Sequence, residues 1–306
     1  MNKPLIVLEI ANNHQGDIDH GKRIIREFGE VCNSYTDTFE FAVKFQYRDI
    51  QTFIHKDYLN SDLKYVRRFL DTQLKEEEWQ ELLNYAKEFK FKLICTPFDE
   101  ISVEKVVNDK FDILKIASAS FDDWPLVEKI AKTDMEIIAS VGGASIEKIK
   151  RFYTFMKNRE KMFALNYCVS LYPTKYEDLN LAYITYLKKL FPDISIGFST
   201  HEGNENPFTG ALAYALGAEI FEKHIALEDK NKNYGINDYS CLPSDLDSWL
   251  NELSASLKIV GSVENRDVVL QEELLALRDL KRGVFAKKDI EKNKILDVED
   301  FYFSIP

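Results

Sequence analysis

The sequence predicts an α/β fold: a closed (β/α)8 barrel of the TIM type, followed by a short, incomplete C-terminal extension. Eight short apolar runs rich in β-branched and aromatic residues recur between residues 4 and 226. Their apolar character is nearly continuous, as expected for parallel strands that helices cover on both faces. An open doubly wound sheet usually has about five to seven strands, so eight strand–helix units favour the barrel.

The predicted strands share short length and polar residues at their C-terminal ends. They are PLIVLEI (4–10), FEFAVKFQ (39–46), KFKLICTPF (90–98), FDILKIAS (111–118), MEIIASVG (135–142), MFALNYCVS (162–170), DISIGFSTH (193–201) and EIFEKHIA (219–226).

Helical periodicity fills the segments between these runs. Residues 19–32 carry an apolar stripe, residues 145–158 begin after a possible N-cap at Ser145, and residues 206–219 are small and apolar. The connection over 47–89 is unusually long for this fold and contains two helical patterns, 61–72 and 75–88.

The pattern changes after strand eight. A polar excursion is followed by amphipathic helices at 243–260 and 269–282, and residues 283–306 alternate like short strands outside the eightfold repeat. We therefore assign residues 1–265 to the barrel and 266–306 to a linker and an incomplete further segment.

Composition limits the classes of partner. The formal charge of −11 disfavours general binding to nucleic acid or to an anionic membrane, although a local basic pocket could still hold a small anion. Because the chain lacks a membrane-length apolar run and its N-terminus does not resemble a signal peptide, we expect a cytoplasmic protein. The four cysteines lack CxxC spacing and are interpreted as reduced packing residues.

Two lysines interrupt predicted core strands. In a (β/α)8 barrel the C-terminal ends of all strands face one mouth, so Lys44 and Lys115 should converge there with the hydroxyls of Ser118 and Ser199. A buried ammonium without an anion is costly, which favours a phosphate or carboxylate ligand. The alternative is that carboxylates such as Glu40 or Asp99 pair with these lysines.

Two histidines end strands seven and eight. These strands are neighbours in a closed barrel, so His201 and His224 could bind one divalent metal, Mn²⁺ or Mg²⁺ if oxygens complete its shell. Water and substrate would then occupy the remaining positions of a Lewis-acid site. The alternative is that each histidine is a hydrogen-bonded core residue.

Other strand ends supply neutral and acidic polar groups. Glu9 precedes a cluster of amides and a histidine that suits hydrogen bonding to a polyhydroxylated ligand. The further candidates at strand ends are Asn13, Gln46, Ser170 and Tyr172.

Seven ordered motifs resemble those of the sialic acid synthase family of phosphoenolpyruvate-condensing barrels. They are EIANNHQGD (9–17), AVKFQ (42–46), CTPFDE (95–100), LKIASAS (114–120), SLYPTKYEDLNL (170–181), IGFSTHEG (196–203) and FEKH (221–224). The resemblance covers residues 3–265.

The resemblance implies a metal-dependent condensation of phosphoenolpyruvate with an open-chain N-acyl amino sugar, such as N-acetylmannosamine, to give a nine-carbon 2-keto sugar acid and phosphate. It implies that Lys44, Lys115, Ser118 and Ser199 hold phosphoenolpyruvate, and that His201 and His224 bind Mn²⁺ or Mg²⁺. Glu9, Gln46 and Tyr172 would face the sugar, and the resemblance places Glu9, Lys44, Lys115 and His201 in catalysis.

The chain departs from the family pattern in several places. Ser120 stands where the family usually has a carboxylate, with Asp122 and Asp123 as possible substitutes, and Ser170 stands where an asparagine is common. In the loop after strand eight, either Asn237 or Asp238 could contact the sugar.

The family also carries a C-terminal antifreeze-like domain that completes the partner's site in a swapped dimer. Residues 283–306 resemble only its beginning, and the resemblance implies a homodimer.

Two other functions compete with this interpretation. A related synthase that takes a phosphorylated sugar would need an extra basic cluster at the mouth, and apart from Arg48 the sequence offers little for one. A barrel that has lost catalysis and binds sugars is favoured by Ser120 and the incomplete extension, and opposed by the retained lysines and histidines.

Overall fold

The computed structural model describes residues 3–305 and confirms the predicted barrel. Eight parallel strands close in sequence order, and β8 pairs with β1 to complete the ring. Their bounds are β1 Leu5–Glu9, β2 Glu40–Tyr47, β3 Lys92–Pro97, β4 Ile113–Ile116, β5 Glu136–Ser140, β6 Phe163–Tyr167, β7 Ile196–Thr200 and β8 Ile220–His224.

Helices connect the strands on the outside of the barrel. The helices of the described chain are α1 Ile18–Asn33, α2 Ile50–Phe53, α3 Lys64–Asp71, α4 Glu76–Glu88, α5 Glu100–Asn108, α6 Trp124–Ala131, α7 Ile146–Lys157, α8 Ala182–Leu190, α9 Thr209–Ala215, α10 Pro243–Val260, α11 Val263–Asp267 and α12 Gln271–Leu280. The two helices predicted in the long connection after β2 correspond to α3 and α4. Helix α9 is shorter than the predicted 206–219, and Gly217 follows it with a φ of +105°.

Side-chain caps fix where several helices begin. The Asp17 carboxylate accepts hydrogen bonds from the backbone N–H groups of Asp19 and His20 at the start of α1. Ser145 accepts from the N–H of Lys148 and caps α7, as predicted. Each cap satisfies donors that a helix terminus otherwise leaves unpaired.

The barrel has two apolar regions. The larger one packs the outer faces of the strands against the helices and includes Phe28, Phe152 and Trp249. The smaller one fills the floor of the barrel interior with seven buried side chains: Val7, Ala42, Ile94, Ile113, Ile138, Ala164 and Ile220. This apolar floor supports the layer of side chains that lies next to it, toward the C-terminal mouth of the barrel.

The chain divides into two compact units, the first ending at Ile259 and the second beginning at Val260. In the second unit, β9 (Gly283–Ala286) pairs with β10 (Phe301–Ser304) in a two-stranded antiparallel sheet. Across residues 3–305, the helices are all too short or too polar to cross a membrane.

Candidate active site

A layer of polar side chains lies directly above the apolar floor. Residues two apart on a strand point to the same side of the sheet, so each floor residue predicts the interior residue above it. Val7 is followed by Glu9, Ala42 by Lys44, Ile113 by Lys115 and Ile220 by Glu222. The same alternation continues to Gln46 and His224 at the mouth.

The mouth contains a cavity of about 450 Å³. Ten of the predicted site residues line it: Glu9, Lys44, Gln46, Lys115, Ser118, Ser170, Tyr172, Ser199, His201 and His224. The chain therefore brings together side chains that lie more than 200 residues apart in sequence, with Glu9 and His224 as partners in the β1–β8 register.

Three predicted residues lie outside this lining. Asn13 is buried and donates from Nδ2 to the carbonyl oxygen of Ile225 at 2.8 Å, and its Oδ1 accepts from Asn237 at 3.3 Å. Asp238 is exposed. The residue of the post-β8 loop that reaches the cavity is Tyr239, which the sequence prediction missed.

Glu222 joins the two lysines. Its Oε2 lies 2.8 Å from Lys115 Nζ, its Oε1 lies 3.1 Å from Lys44 Nζ, and Ser199 Oγ donates to Oε1 at 3.0 Å. Lys44 also forms an ion pair with Glu9 Oε2. All of these side chains are buried, so charge balance rather than solvent sets their states.

The pKa values follow from this arrangement. Burial alone would raise the pKa of Glu222, but Lys115 and Lys44 hold it below its usual range. Burial alone would lower the pKa of Lys44, but Glu222 and Glu9 raise it. Burial lowers the pKa of Lys115 and raises that of Glu9. Glu222 is therefore an ionised carboxylate that the two lysines share.

The alternative that carboxylates pair with the two lysines is confirmed, but the examples suggested from the sequence, Glu40 and Asp99, were wrong. Glu40 pairs with Lys92 at the other end of the strands, and Asp99 caps α5 by accepting from Ser102. The lysines do have carboxylate partners, but these belong to the same cavity. Glu222 could have been found from the sequence, because it stands two residues before His224 on a predicted strand.

Small groups form the side of the cavity at β4–β6. Ser118 Oγ accepts from the backbone N–H of Gly142 at 3.1 Å and lies 3.2 Å from Cys168 Sγ. A Cβ atom on Gly142 would lie 2.8 Å from both Cys168 Sγ and Ser118 Oγ. The same Cβ would lie even closer to Ser170 Oγ, so any other residue at position 142 would force these three side chains to rotate.

The imidazoles of His201 and His224 face each other with ring centroids 5.3 Å apart. His201 Nδ1 lies 3.0 Å from the Val169 carbonyl oxygen, which orients the ring and leaves Nε2 as the free nitrogen. Burial lowers the pKa of His201 to about 4 and that of His224 well below its usual value. Both rings are neutral near pH 7, the form that binds metals.

These residues fit a divalent ion held by two imidazole nitrogens. Within residues 3–305, no group of three or more His, Cys, Asp or Glu side chains is arranged to hold a metal. Oxygens from water or substrate would have to complete the shell, which suits Mn²⁺ or Mg²⁺ better than a closed structural zinc site. The rings of Tyr172 and Tyr239 lie 4.3 Å from His201 and 5.1 Å from His224, measured between centroids.

Two arginines also line the mouth. The guanidinium carbon of Arg48 lies 4.1 Å and 3.9 Å from the ring centroids of Phe69 and Phe98. Arg68, on α3, donates from Nη2 to Asn13 Oδ1 at 3.5 Å. The sequence identified Arg48 but not Arg68, since nothing in the long connection indicated which face of α3 meets the barrel.

Asp122 and Asp123, the two residues suggested as substitutes for the family carboxylate at position 120, interact with other parts of the chain. Asp122 pairs with Lys148 on α7, and Asp123 caps α6 by accepting from the N–H of Leu126. Ser120 itself is buried and does not line the cavity. The carboxylates that do line it are Glu9 and Glu222.

The fold and the site define a class: a (β/α)8 barrel whose strand ends place cationic, imidazole and hydroxyl groups around one polar cavity. A model of the NeuB family matches residues 40–265, and the chain belongs to this family.

Named relatives extend the similarity over most of the chain. Human N-acetylneuraminate-9-phosphate synthase is 30% identical over 96% of this chain and 81% of its own length. The structure of a candidate spore coat polysaccharide biosynthesis protein E from Chromobacterium violaceum is 41% identical, with a TM-score of 0.94 over 99% of this chain and 89% of that one. The structure of N-acetylneuraminic acid synthetase from Leptospira borgpetersenii is 27% identical, with a TM-score of 0.77 over 90% of this chain and 91% of that one.

Proposed function

We propose that the protein condenses phosphoenolpyruvate with an N-acyl amino sugar to give a nine-carbon 2-keto sugar acid and phosphate. The observation that carries this proposal is that the Lys44–Glu222–Lys115 cluster and the His201–His224 pair line one cavity. Relatives named as N-acetylneuraminate synthases support the same reaction type.

The lysines provide the site for phosphoenolpyruvate. A lysine ammonium has three donors. Among the described residues, Lys115 Nζ contacts Glu222 and keeps donors for ligand oxygens, whereas Lys44 Nζ contacts Glu222, Glu9 and Thr96 and contributes mainly positive charge. Hydroxyls of Ser118 and Ser170 line the same cavity as Lys115 and add neutral donors. The phosphate and carboxylate would thus be bound in a buried, preorganised site.

The reaction balances without an external oxidant or reductant. C3 of phosphoenolpyruvate forms a bond to the aldehyde carbon of the sugar, and the aldehyde oxygen takes a proton to become a hydroxyl. Water adds at C2, and the C2–O bond to phosphate breaks to leave the 2-keto group. A divalent ion bound by His201 and His224 would supply Lewis-acid polarisation of the aldehyde.

The chain's own residues orient the acceptor. Gln46 donates to Glu9 Oε1 at 3.3 Å, and the backbone N–H of Ala11 donates to the same oxygen at 2.6 Å, which fixes the Glu9 carboxyl beside Lys44. Tyr172 and Tyr239 form an apolar wall over the imidazoles. Such fixed groups hold the sugar close to the donor and limit the entry of water.

The experiment is an end-point assay with phosphoenolpyruvate, Mn²⁺ and a panel of N-acyl hexosamines that includes their 6-phosphates and uronic acids. Phosphate release should accompany formation of a 2-keto acid in equal amounts, and both should stop when the metal is chelated. Phosphate release without a 2-keto sugar acid, or no turnover with any acceptor, would instead favour the non-catalytic sugar-binding barrel.

The predicted homodimer and the assignment of residues 266–306 to a segment separate from the barrel belong to the same proposal. Sedimentation velocity of the full chain tests the dimer directly: a monomer at micromolar concentration would contradict it.

A further inference from the structure

Two guanidinium groups in the cavity lack a carboxylate partner. Within residues 3–305, no carboxylate lies within ion-pair distance of Arg48 or Arg68, whose hydrogen bonds go to the amide oxygens of Gln46 and Asn13. By contrast, Arg67 on the same helix as Arg68 pairs with Asp62 at 3.5 Å. The two cavity arginines therefore carry positive charge that the protein does not neutralise.

Neighbouring side chains hold Arg48 in place, but one of its hydrogen-bond donors has no acceptor. Its guanidinium lies between the rings of Phe69 and Phe98, and its Nη2 donates to Gln46 Oε1 at 2.7 Å. Its Nε is buried and has no hydrogen-bond acceptor. Burial also lowers the pKa of Arg48 to about 10. An oxyanion would stabilise a guanidinium in this environment, because stacking leaves its edge free for hydrogen bonds.

The position of Arg48 does not match the phosphoenolpyruvate site. Arg48 contacts Gln46, Gln46 contacts Glu9, Glu9 contacts Lys44, and Glu222 stands between Lys44 and Lys115. Four side chains, Gln46, Glu9, Lys44 and Glu222, therefore lie between the Arg48 guanidinium and Lys115 along this row of contacts. A three-carbon donor held at the lysines leaves the arginine side of the cavity to the larger second substrate.

Arg68 approaches from another direction. It extends from α3 toward Asn13 and Asn237, which connect the loops after β1 and β8. Arg68 lines the same cavity as Tyr239, the residue whose ring stands over His224. The arginines thus border the region between the histidine pair and the open mouth.

We propose that Arg48 and Arg68 bind an anionic substituent of the acceptor sugar, a phosphate or a carboxylate, at the end remote from the reacting aldehyde. This inference rests on the proposed function and deepens it by naming the chemical class of the second substrate.

The test compares three acceptors: an N-acyl hexosamine, its 6-phosphate and the corresponding uronic acid. Wild-type kcat/KM should be about tenfold or more higher for one of the anionic acceptors than for the neutral sugar. Preference for the phosphate or for the carboxylate identifies the anion. Equal efficiency with all three would overturn the inference while leaving the synthase function intact.

The variant Arg68→Met removes one of the two charges, and Arg67→Met is the matched control on the same helix. Arg68→Met should lower kcat/KM for the preferred anionic acceptor by about tenfold or more, with a smaller change in KM for phosphoenolpyruvate. Arg67→Met should behave like wild type. A larger effect on KM for phosphoenolpyruvate than on the acceptor would assign the arginines to the donor and refute the proposal.

A binding measurement keeps the inference testable if no acceptor turns over. Calorimetric titration of the full chain with an N-acyl hexosamine 6-phosphate, and separately with the corresponding uronic acid, should show affinity for at least one of them that Arg68→Met weakens and Arg67→Met does not. No binding, or binding that both variants retain, would contradict the anion site independently of the synthase reaction.

Discussion

The buried carboxylate of Glu222 allows a quantitative test of the charge cluster. The substitution Glu222→Gln keeps the size of the side chain and one accepting oxygen but removes the negative charge. Glu222 is 4% exposed and contacts the ammonium groups of Lys115 and Lys44 at 2.8 and 3.1 Å. The variant therefore leaves two neighbouring buried ammonium groups with Glu9 as their nearest remaining carboxylate.

Removing one partner of a buried ion pair costs about 3–5 kcal/mol of unfolding free energy. Because glutamine can still accept one hydrogen bond, we expect a loss near the lower end, about 3 kcal/mol. For a domain of this size that corresponds to a fall in Tm of about 5 °C. The matched control is Glu219→Gln, which removes an exposed ion pair to Lys188 and should cost less than about 1 kcal/mol.

The assay is urea denaturation of both variants with and without inorganic phosphate or phosphoenolpyruvate. A polyvalent anion should recover more stability in Glu222→Gln than in wild type, because it supplies the charge that the carboxylate gave to the lysines. If Glu222→Gln is as stable as Glu219→Gln, or if anions stabilise it no more than wild type, then Glu222 does not balance the lysines and the reasoning fails.

Three further substitutions test other parts of the site. Gly142→Ala should lower the affinity for phosphoenolpyruvate, because the new Cβ would collide with Ser118 and Cys168. The control Gly235→Ala places its Cβ in open space and should leave that affinity unchanged. Equal affinities of the two variants in a calorimetric titration would contradict this prediction. His201→Ala should abolish metal-dependent turnover with an unchanged circular dichroism spectrum, and full activity would remove the metal assignment. Lys223→Met should cost about 3–5 kcal/mol in urea denaturation, because it leaves the buried Glu202 carboxylate, 3.7 Å from the lysine, without its cation. Adding Glu202→Gln to that variant should restore much of the loss, and no recovery would argue against the pair.

The sequence alone was sufficient for the barrel and for most of its polar lining. Eight apolar runs separated by helical patterns predicted the strands, and the convergence of parallel strand ends predicted that Lys44, Lys115, His201 and His224 share one cavity. These inferences succeeded because a strand's direction and its two-residue alternation are local properties. Once the barrel closes, they fix which side chains meet.

Only the tertiary structure decided which charges balance one another. Which carboxylate pairs with a lysine depends on distances between different strands and loops. The sequence therefore suggested Glu40 and Asp99 as partners of the lysines, whereas in the structure the partners are Glu222 and Glu9. The tertiary structure likewise places Arg68 at the mouth of the barrel. Arg68 lies on a helix of the long connection after β2, and such helices can pack in more than one orientation. Alternation along a strand sets the face that a residue occupies, but an ion pair forms through space, and that distance exists only in the closed barrel.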